Sequence, residues 1–286
     1  MGLSHLWPRP GRISLGAAVL LATSTLLAAN GTAATASAAT SCPWVDSTAP
    51  IATRVSELMG QLSLPQKVAM MTGAAGSYVG NIPAISALCI PAMNLEDGPA
   101  GVGDGMSNVT QLPAPVDVAA TWDTSAEQEY GHVIGAEQAA KGTTVDLGPT
   151  INIVRDPRWG RAFESVSEDP YLAGQMGAAD IRGVQSAGTM AQVKHYAVYN
   201  QETNRNTSSD NAVVSTQAEQ EIYLPAFQAA VQQGAASSVM CSYSWINGTA
   251  ACENPYLLNT GAAPAVRLPG LRDLRLGRDA LDRRLR

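Results

Sequence analysis

The sequence has little positive charge. Its 286 residues include 18 Lys and Arg against 24 Asp and Glu, and only three of the basic residues are Lys. Because phosphate binding requires a basic surface, this composition argues against a nucleic-acid partner. Hydrophobic residues make up 45% and charged residues 15% of the chain, so it can bury a large core and is not disordered in bulk.

Several signals of known chemistry are also absent. The four cysteines are too few for a fold held together mainly by disulfides. The sequence has no glycine-rich phosphate loop, no dinucleotide fingerprint and no cluster of metal-ligating residues, so we expect neither a cofactor nor a metal. The Gly-x-Ser-x-Gly motif is missing too, which argues against an α/β-hydrolase.

The N-terminus has the features of a signal peptide. Arg9 and Arg12 precede an apolar run from Ile13 to Ala29, and Ala36-Ser37-Ala38 matches a cleavage site. Polar residues interrupt the run, which disfavours a permanent membrane span. We therefore predict that residues 1–39 are removed and that the mature protein is secreted, extracellular and free of the membrane.

Short apolar segments alternate with amphipathic segments in the rest of the chain. Strands are predicted at Ala87–Leu95, Thr144–Val154, Met190–Tyr199 and Ser237–Ser244. Helices are predicted after capping boxes that begin at Ser63, Thr124 and Thr216, and over Pro170–Gly183. This alternation predicts an α/β fold with a parallel sheet. A (β/α)8 barrel and a doubly wound sheet both fit, and periodicity does not choose between them.

Polar residues stand at the ends of the predicted strands, where ligands bind in both architectures. Each has a structural alternative, because a carboxylate can shape a turn, arginines can form salt bridges with nearby acids, and His or Tyr can be core residues. A buried Lys without a partner is costly, so a Lys in an apolar strand is harder to explain in this way. The residues are Asp97, the segment Arg155–Arg161, Lys194 with His195, and Tyr243.

Together these residues predict a pocket for a neutral sugar. A carboxylate accepts hydrogen bonds from neighbouring hydroxyls, while Arg, Lys and His donate to other ring oxygens. Tyr243 and Trp159 add flat faces that a sugar ring can pack against. This mixture suits a polyol better than a phosphate.

The same segments resemble glycoside hydrolase family 3, the β-glucosidase family. The matching stretches occur in the family's order and cover the chain from about Ser56 to Asn259. They are Leu95–Gly101, Gly160–Glu164, Ser167–Pro170, Lys194–Arg205, and Met240–Ser244 followed by Asn247-Gly248. The resemblance implies an α/β fold of the (β/α)8, TIM-like barrel type with a sugar held at the strand ends.

The resemblance also assigns roles to individual residues. It implies that four side chains bind the sugar hydroxyls. These are the side chains of Asp97, Arg161, Lys194 and His195. Tyr243 is similar to the aromatic residue beside the reacting carbon. Two disulfides are implied, Cys241 with Cys252 and Cys42 with Cys89.

The family's reaction needs two carboxylates and retains anomeric configuration. Its nucleophile is the Asp of a Ser-Asp-Trp-like motif beyond Leu257-Leu258-Asn259, and its acid/base comes from a following domain. This chain has no such motif. Gly261–Arg286 uses seven residue types and holds seven basic and three acidic residues. We assign none of its acids, Asp273, Asp279 and Asp282, as the nucleophile.

A shifted reading frame would account for this tail. Codons that are legal for Val266–Gly277 can be chosen so that reading one base later gives a peptide containing Ser-Asp-Trp, at the place the family expects it. The alternative is an unusual basic C-terminal helix. The predicted organisation is a signal peptide over 1–39, a partial barrel over 40–260 that is incomplete at its C-terminal end, and an aberrant tail over 261–286.

The sequence therefore predicts a secreted glycoside hydrolase acting on β-glucosides with retention. We expect this chain to be inactive, because it lacks family-matched positions for both catalytic carboxylates and lacks the second domain of the full-length enzyme. A β-xylosidase of the same family and a non-catalytic sugar-binding fragment remain as alternatives. The expected partner is a β-linked sugar or glycoside, and not a nucleic acid.

Overall fold

The computed structural model describes residues 42–260 and Val266. The predicted signal peptide over 1–39 lies outside these residues, as does the predicted aberrant tail apart from Val266. Within the described part, none of the helices combines the length and the apolar character that a membrane crossing requires.

A curved sheet of five strands forms the centre of the fold. Strands β2, β3, β4 and β6 are parallel neighbours in that order, and β1 pairs antiparallel with β2. The order contains no reversal, whereas a doubly wound sheet has one, so the arrangement is the TIM-barrel-like alternative. The strands are β1 (Gly80–Ile82), β2 (Met93–Asp97), β3 (Val145–Leu147), β4 (Met190–Tyr196), β5 (Asn211–Ala212), β6 (Ser238–Cys241), β7 (Trp245–Ile246) and β8 (Thr249–Ala250).

Helices connect the parallel strands and bury one face each against the sheet or against one another. The main core joins the long helices to β4, and it includes Ile151, Met176, Ile181, Val193 and Phe227, each at most 1% exposed. The helices are α1 (Pro43–Asp46), α2 (Ile51–Gln61), α3 (Leu64–Thr72), α4 (Pro115–Ala119), α5 (Thr124–Ala140), α6 (Pro170–Ser186), α7 (Thr216–Ala218) and α8 (Pro225–Gln232).

One of the three predicted capping boxes is confirmed, and in the other two helices the capping residue lies one position earlier than predicted. The Ser63 hydroxyl accepts from the Gln66 amide, and the Gln66 side chain accepts from the Ser63 amide. Helix α5 is instead capped by Asp123 and helix α7 by Ser215. In both cases the residue before the predicted Thr has the extended backbone that a cap requires and carries an oxygen of its own.

The strand predicted at Ala87–Leu95 begins later than expected. A 3-10 turn occupies Ser86–Leu88, and β2 runs over Met93–Asp97. Cys89 has a left-handed backbone, with φ 52°, and Pro91 has no amide hydrogen to give to a sheet, so the start of the apolar segment cannot extend the strand. Asp97 is consequently the last residue of β2 and pairs with Leu147 of β3.

Both predicted disulfides are present. Cys42 bonds to Cys89, and this bond ties the start of the described chain to the loop before β2. Cys241 at the end of β6 bonds to Cys252 and closes the loop that carries Tyr243.

Helices α5 and α6 approach so closely that only glycine fits at their contact. A Cβ added to Gly183 would clash with the carbonyl oxygen of Gln128 and lie 2.7 Å from the amide nitrogen of His132. We expect Gly183→Ala to lower the free energy of unfolding by about 1–3 kcal/mol, measured by urea denaturation. Gly60→Ala, in α2, is the matched control, because nothing lies within 4 Å of its added Cβ. Equal stabilities of the two variants would contradict this account of the helix contact.

Candidate functional site

Lys194 is buried and has a carboxylate partner. Its side chain is 2% exposed, and its Nζ lies 2.5 Å from Oδ1 of Asp97, whose side chain is 34% exposed. Strand β4 supplies the Lys and the end of β2 supplies the Asp, and β3 lies between the two strands. The ion pair offsets the desolvation of the ammonium group and leaves the half-exposed carboxylate open to a ligand.

Arg161 forms an ion pair with Glu164 and also contacts His195. Its Nε and Nη2 donate to the two carboxylate oxygens of Glu164, each at 2.6 Å, in a largely buried pair. Its Nη1 lies 3.1 Å from Nε2 of His195. The cluster is therefore not a lattice of exposed salt bridges, although Arg158 does form an exposed pair with Asp156. Glu164 fixes the plane of the guanidinium group beside the histidine.

His195 is held in one tautomer. The Asn152 side chain donates to the His195 carbonyl at 2.8 Å, and its oxygen accepts from the His195 amide and lies 3.1 Å from Nδ1. Since Arg161 can only donate, Nε2 must accept and Nδ1 must carry the hydrogen. Burial, reinforced by the charges of Arg161, Lys194 and Arg205, holds the pKa of His195 well below its ordinary value. The ring is therefore neutral at pH 7.

Aromatic rings line the other side of His195. The Tyr199 ring centroid lies 4.9 Å from that of His195, and the Tyr243 centroid lies 5.6 Å from it. The Arg205 guanidinium carbon stands 4.7 Å from the centroid of Tyr243. Because β6 lies beside β4, Tyr243 reaches the site from the next strand end.

The structure thus brings together the five residues that the sequence singled out. The end of β2 supplies Asp97, the segment after β3 supplies Arg161, β4 supplies Lys194 and His195, and the segment after β6 supplies Tyr243. All lie at the carboxyl ends of neighbouring parallel strands, where TIM-barrel-like folds bind ligands. Their arrangement can offer a sugar one carboxylate, several N–H donors and an aromatic face.

Other residues at the site were not assigned a role from the sequence. Asn152 and Glu164 orient His195 and Arg161, and Glu202 and Arg205 stand beside the aromatic rings. Desolvation raises the pKa of Asp104, and the charge of Asp97 raises it further. Glu164, Glu202 and Arg205 lie within the sequence segments that carry the family resemblance, so those segments could have identified them as candidate site residues. Among residues 42–260, no group of three or more His, Cys, Asp or Glu is arranged to hold a metal ion.

The fold is that of a TIM-barrel-like α/β domain with polar residues gathered at its strand ends. Residues 66–261 match the family described as "Glycosyl hydrolase family 3 N terminal domain". The chain belongs to this family.

Individual relatives agree with this assignment. The chain is 37% identical over 228 residues to a β-glucosidase from Bacteroides ovatus, a match that covers 76% of this chain and 30% of the relative. A β-glucosidase from Streptomyces venezuelae, solved in complex with D-glucose, has 37% sequence identity and a TM-score of 0.70, and the match covers 77% of this chain and 27% of the other. Β-glucosidase 3B from Thermotoga neapolitana, in complex with α-D-glucose, has 33% identity and a TM-score of 0.67 over 74% and 32% of the two chains. The chain spans less than a third of the length of each of them.

Proposed function

We propose that this chain binds the non-reducing sugar of a β-glucoside and represents the sugar-binding part of a retaining glycoside hydrolase. The observation that carries the proposal is the buried pair of Lys194 and Asp97, set beside Arg161 and a neutral His195 at neighbouring strand ends. A charge as deeply buried as that of Lys194 adds little to stability, so a ligand gives a reason for its presence. The glucose found in two related structures supports the choice of sugar.

Each side chain has a distinct role in the proposal. The Asp97 carboxylate accepts hydrogen bonds from neighbouring hydroxyls, and the ammonium group of Lys194 donates to its Oδ1 and so fixes its orientation. Arg161 uses its remaining N–H hydrogens as donors, because Glu164 and His195 occupy only some of them. Tyr243 packs against the ring of the sugar near the reacting carbon.

The proposed hydrolysis needs a nucleophile and an acid/base in addition to this binding surface. Retention proceeds through a glycosyl-enzyme intermediate formed by one carboxylate while the other protonates the leaving group. Neither carboxylate has a family-matched position in this sequence, and Asp273, Asp279 and Asp282 lie outside the described residues. We therefore infer that the chain binds sugar without cleaving glycosides.

This inference predicts binding without turnover. Calorimetric titration of the purified 286-residue chain with glucose should give a saturable signal. The chain should hydrolyse an aryl β-glucoside no faster than buffer alone does. Robust turnover would contradict the inferred loss of the catalytic carboxylates. Tighter binding of xylose than of glucose would favour the β-xylosidase alternative, because xylose lacks the exocyclic hydroxymethyl group.

The remaining features of the chain belong to the same proposal. Residues 1–39 act as a signal peptide, and the two disulfides are consistent with an oxidising compartment. Residues 40–260 form a barrel that is incomplete at its C-terminal end, and residues 261–286 come from a shifted reading frame. The gene sequence downstream of the Thr260 codon tests the last point, because codons incompatible with a Ser-Asp-Trp-containing frame would exclude it.

A further inference from the structure

Glu202 accepts hydrogen bonds from three side chains. Trp159 Nε1 donates to its Oε1 at 2.9 Å, and the Tyr199 hydroxyl and Arg205 Nη1 donate to its Oε2 at 2.7 Å and 3.1 Å. Trp159 lies in the segment after β3, whereas the other three residues follow β4. These four residues, Trp159, Tyr199, Glu202 and Arg205, form a cluster that we call the Glu202 cluster.

The cluster is connected to the sugar site through Arg205. The guanidinium carbon of Arg205 stands 4.7 Å from the ring centroid of Tyr243, on the segment after β6. Tyr199 packs against both His195, at 4.9 Å between ring centroids, and Tyr243, at 5.6 Å. Through Tyr199 and Arg205, the carboxylate of Glu202 therefore connects side chains that follow β3, β4 and β6.

Regular secondary structure does little to fix Arg205. Residues 197–210 contain no helix or strand, and Asn204 and Asn206, on either side of Arg205, have φ values of 58° and 68°. In such a segment a long side chain keeps one conformation only if its own contacts hold it. The contacts present are the carboxylate of Glu202 and the rings of Tyr199 and Tyr243.

Glu202 itself is poorly placed to bind a ligand. Its two oxygens together accept three hydrogen bonds from neighbouring side chains, which leaves little capacity for a ligand. Of the three side chains that donate to Glu202, Trp159 and Tyr199 are buried, whereas that of Arg205 is 30% exposed and can face a ligand. Its contacts therefore indicate that it acts on a ligand through Arg205 and the tyrosines.

We propose that Glu202 is a positioning residue that holds Arg205 against Tyr243 and so fixes the aromatic rings beside His195 in the sugar site. The proposal rests on the proposed sugar binding for its consequence, but the contact of Glu202 with Arg205 can be tested without any sugar. Glu202→Gln is the informative change, because Gln keeps an oxygen that can accept from Trp159 while it removes the charge that pairs with Arg205.

Limited trypsin digestion of the full chain tests the contact directly. In the native protein Arg205 is engaged and cleavage after it should be slow, whereas Glu202→Gln should accelerate this cleavage about tenfold, as expected for loss of a charge-assisted hydrogen bond. Asp156→Asn is the matched control, because it removes the partner of the exposed Arg158 and should leave cleavage after Arg205 unchanged. Equal cleavage after Arg205 in the native and Glu202→Gln proteins would overturn the proposal.

Glucose titrations of four proteins test the consequence for the site: the native chain, Glu202→Gln, Arg205→Ala and the double variant. Glu202→Gln should weaken glucose binding about tenfold on its own and cause no further loss when Arg205 is already Ala. Independent losses that multiply in the double variant would show that Glu202 does not act through Arg205 and would overturn the proposal. If the native chain binds no glucose, the proposed function fails, while the trypsin result still decides whether Glu202 holds Arg205.

Discussion

Lys194→Met is expected to abolish measurable glucose binding. Met fills nearly the same volume as Lys194, whose side chain is 2% exposed. The substitution removes the ammonium group, which forms the only ion pair of Asp97 found among residues 42–260. The unpaired carboxylate would then be free to draw in water, and one donor to the sugar is lost. Because each hydrogen bond that involves a charged group contributes about 1.5–3 kcal/mol, losing the Lys194 donor together with the fixed orientation of Asp97 should lower the affinity by more than about a hundredfold.

Calorimetry with the native and variant chains measures this loss. Lys67→Met is the matched control, since it makes the same chemical change on α3, which contributes none of the site residues. The control should bind glucose like the native chain. Native-like glucose affinity of Lys194→Met would remove the central support for the sugar site.

Glu127→Gln is expected to stabilise the protein at pH 8 and to flatten its dependence on pH. Glu127 on α5 is fully buried, and neither of its carboxylate oxygens has a hydrogen-bond partner. Across the helix contact, Oδ1 of the buried Asp180 on α6 is also without one. Burial raises the pKa of Glu127 from 4.5 to about 8, and burial together with the charge of Glu127 raises the pKa of Asp180.

The sign of the effect follows from proton release. An acid whose folded-state pKa is raised holds its proton to a higher pH in the folded protein than in the unfolded chain, so stability falls as pH rises between the two values. For Glu127 the fall begins above about pH 4.5 and ends near pH 8, and its size is on the order of 5 kcal/mol. Glutamine resembles the protonated acid in shape and cannot ionise, so it avoids this loss.

Urea denaturation from pH 5 to pH 8 measures the difference between the two proteins. Asp146, whose pKa burial raises to about 7, adds a pH dependence of its own that both proteins share. Glu129→Gln, an exposed position on the same helix, is the control and should follow the native curve. If Glu127→Gln loses stability with pH as steeply as the native chain, Glu127 does not hold a raised pKa.

The sequence predicted the order along the chain of the parallel strands and of the helices between them, with the start of β2 displaced by six residues and two helix caps displaced by one. Lys194, His195 and Asp97 were found because charged groups at the ends of apolar strands need an explanation beyond packing. The capping residues of α5 and α7 were missed by one position because Asp123 and Thr124, like Ser215 and Thr216, are both able to cap, and the backbone conformation that decides between them is not visible in the sequence.

The residues that orient the site could not be assigned from the sequence for a different reason. Asn152 fixes His195 across 43 residues of chain, and Trp159 meets Glu202 across another 43. Such pairs depend on which strands become neighbours, and periodicity did not settle that order. Glu164 was the easier case, because it lies three residues from Arg161 and within reach of it.

The fixed tautomer of His195 has a consequence for the surroundings in which the protein can work. An ordinary histidine gains a positive charge as its medium becomes mildly acidic, and sugar recognition that depends on a neutral ring would then fail. Here burial and three nearby cations oppose that protonation, while Arg161 and Asn152 already engage both ring nitrogens. The proposed sugar recognition at this residue is therefore expected to persist in a mildly acidic medium.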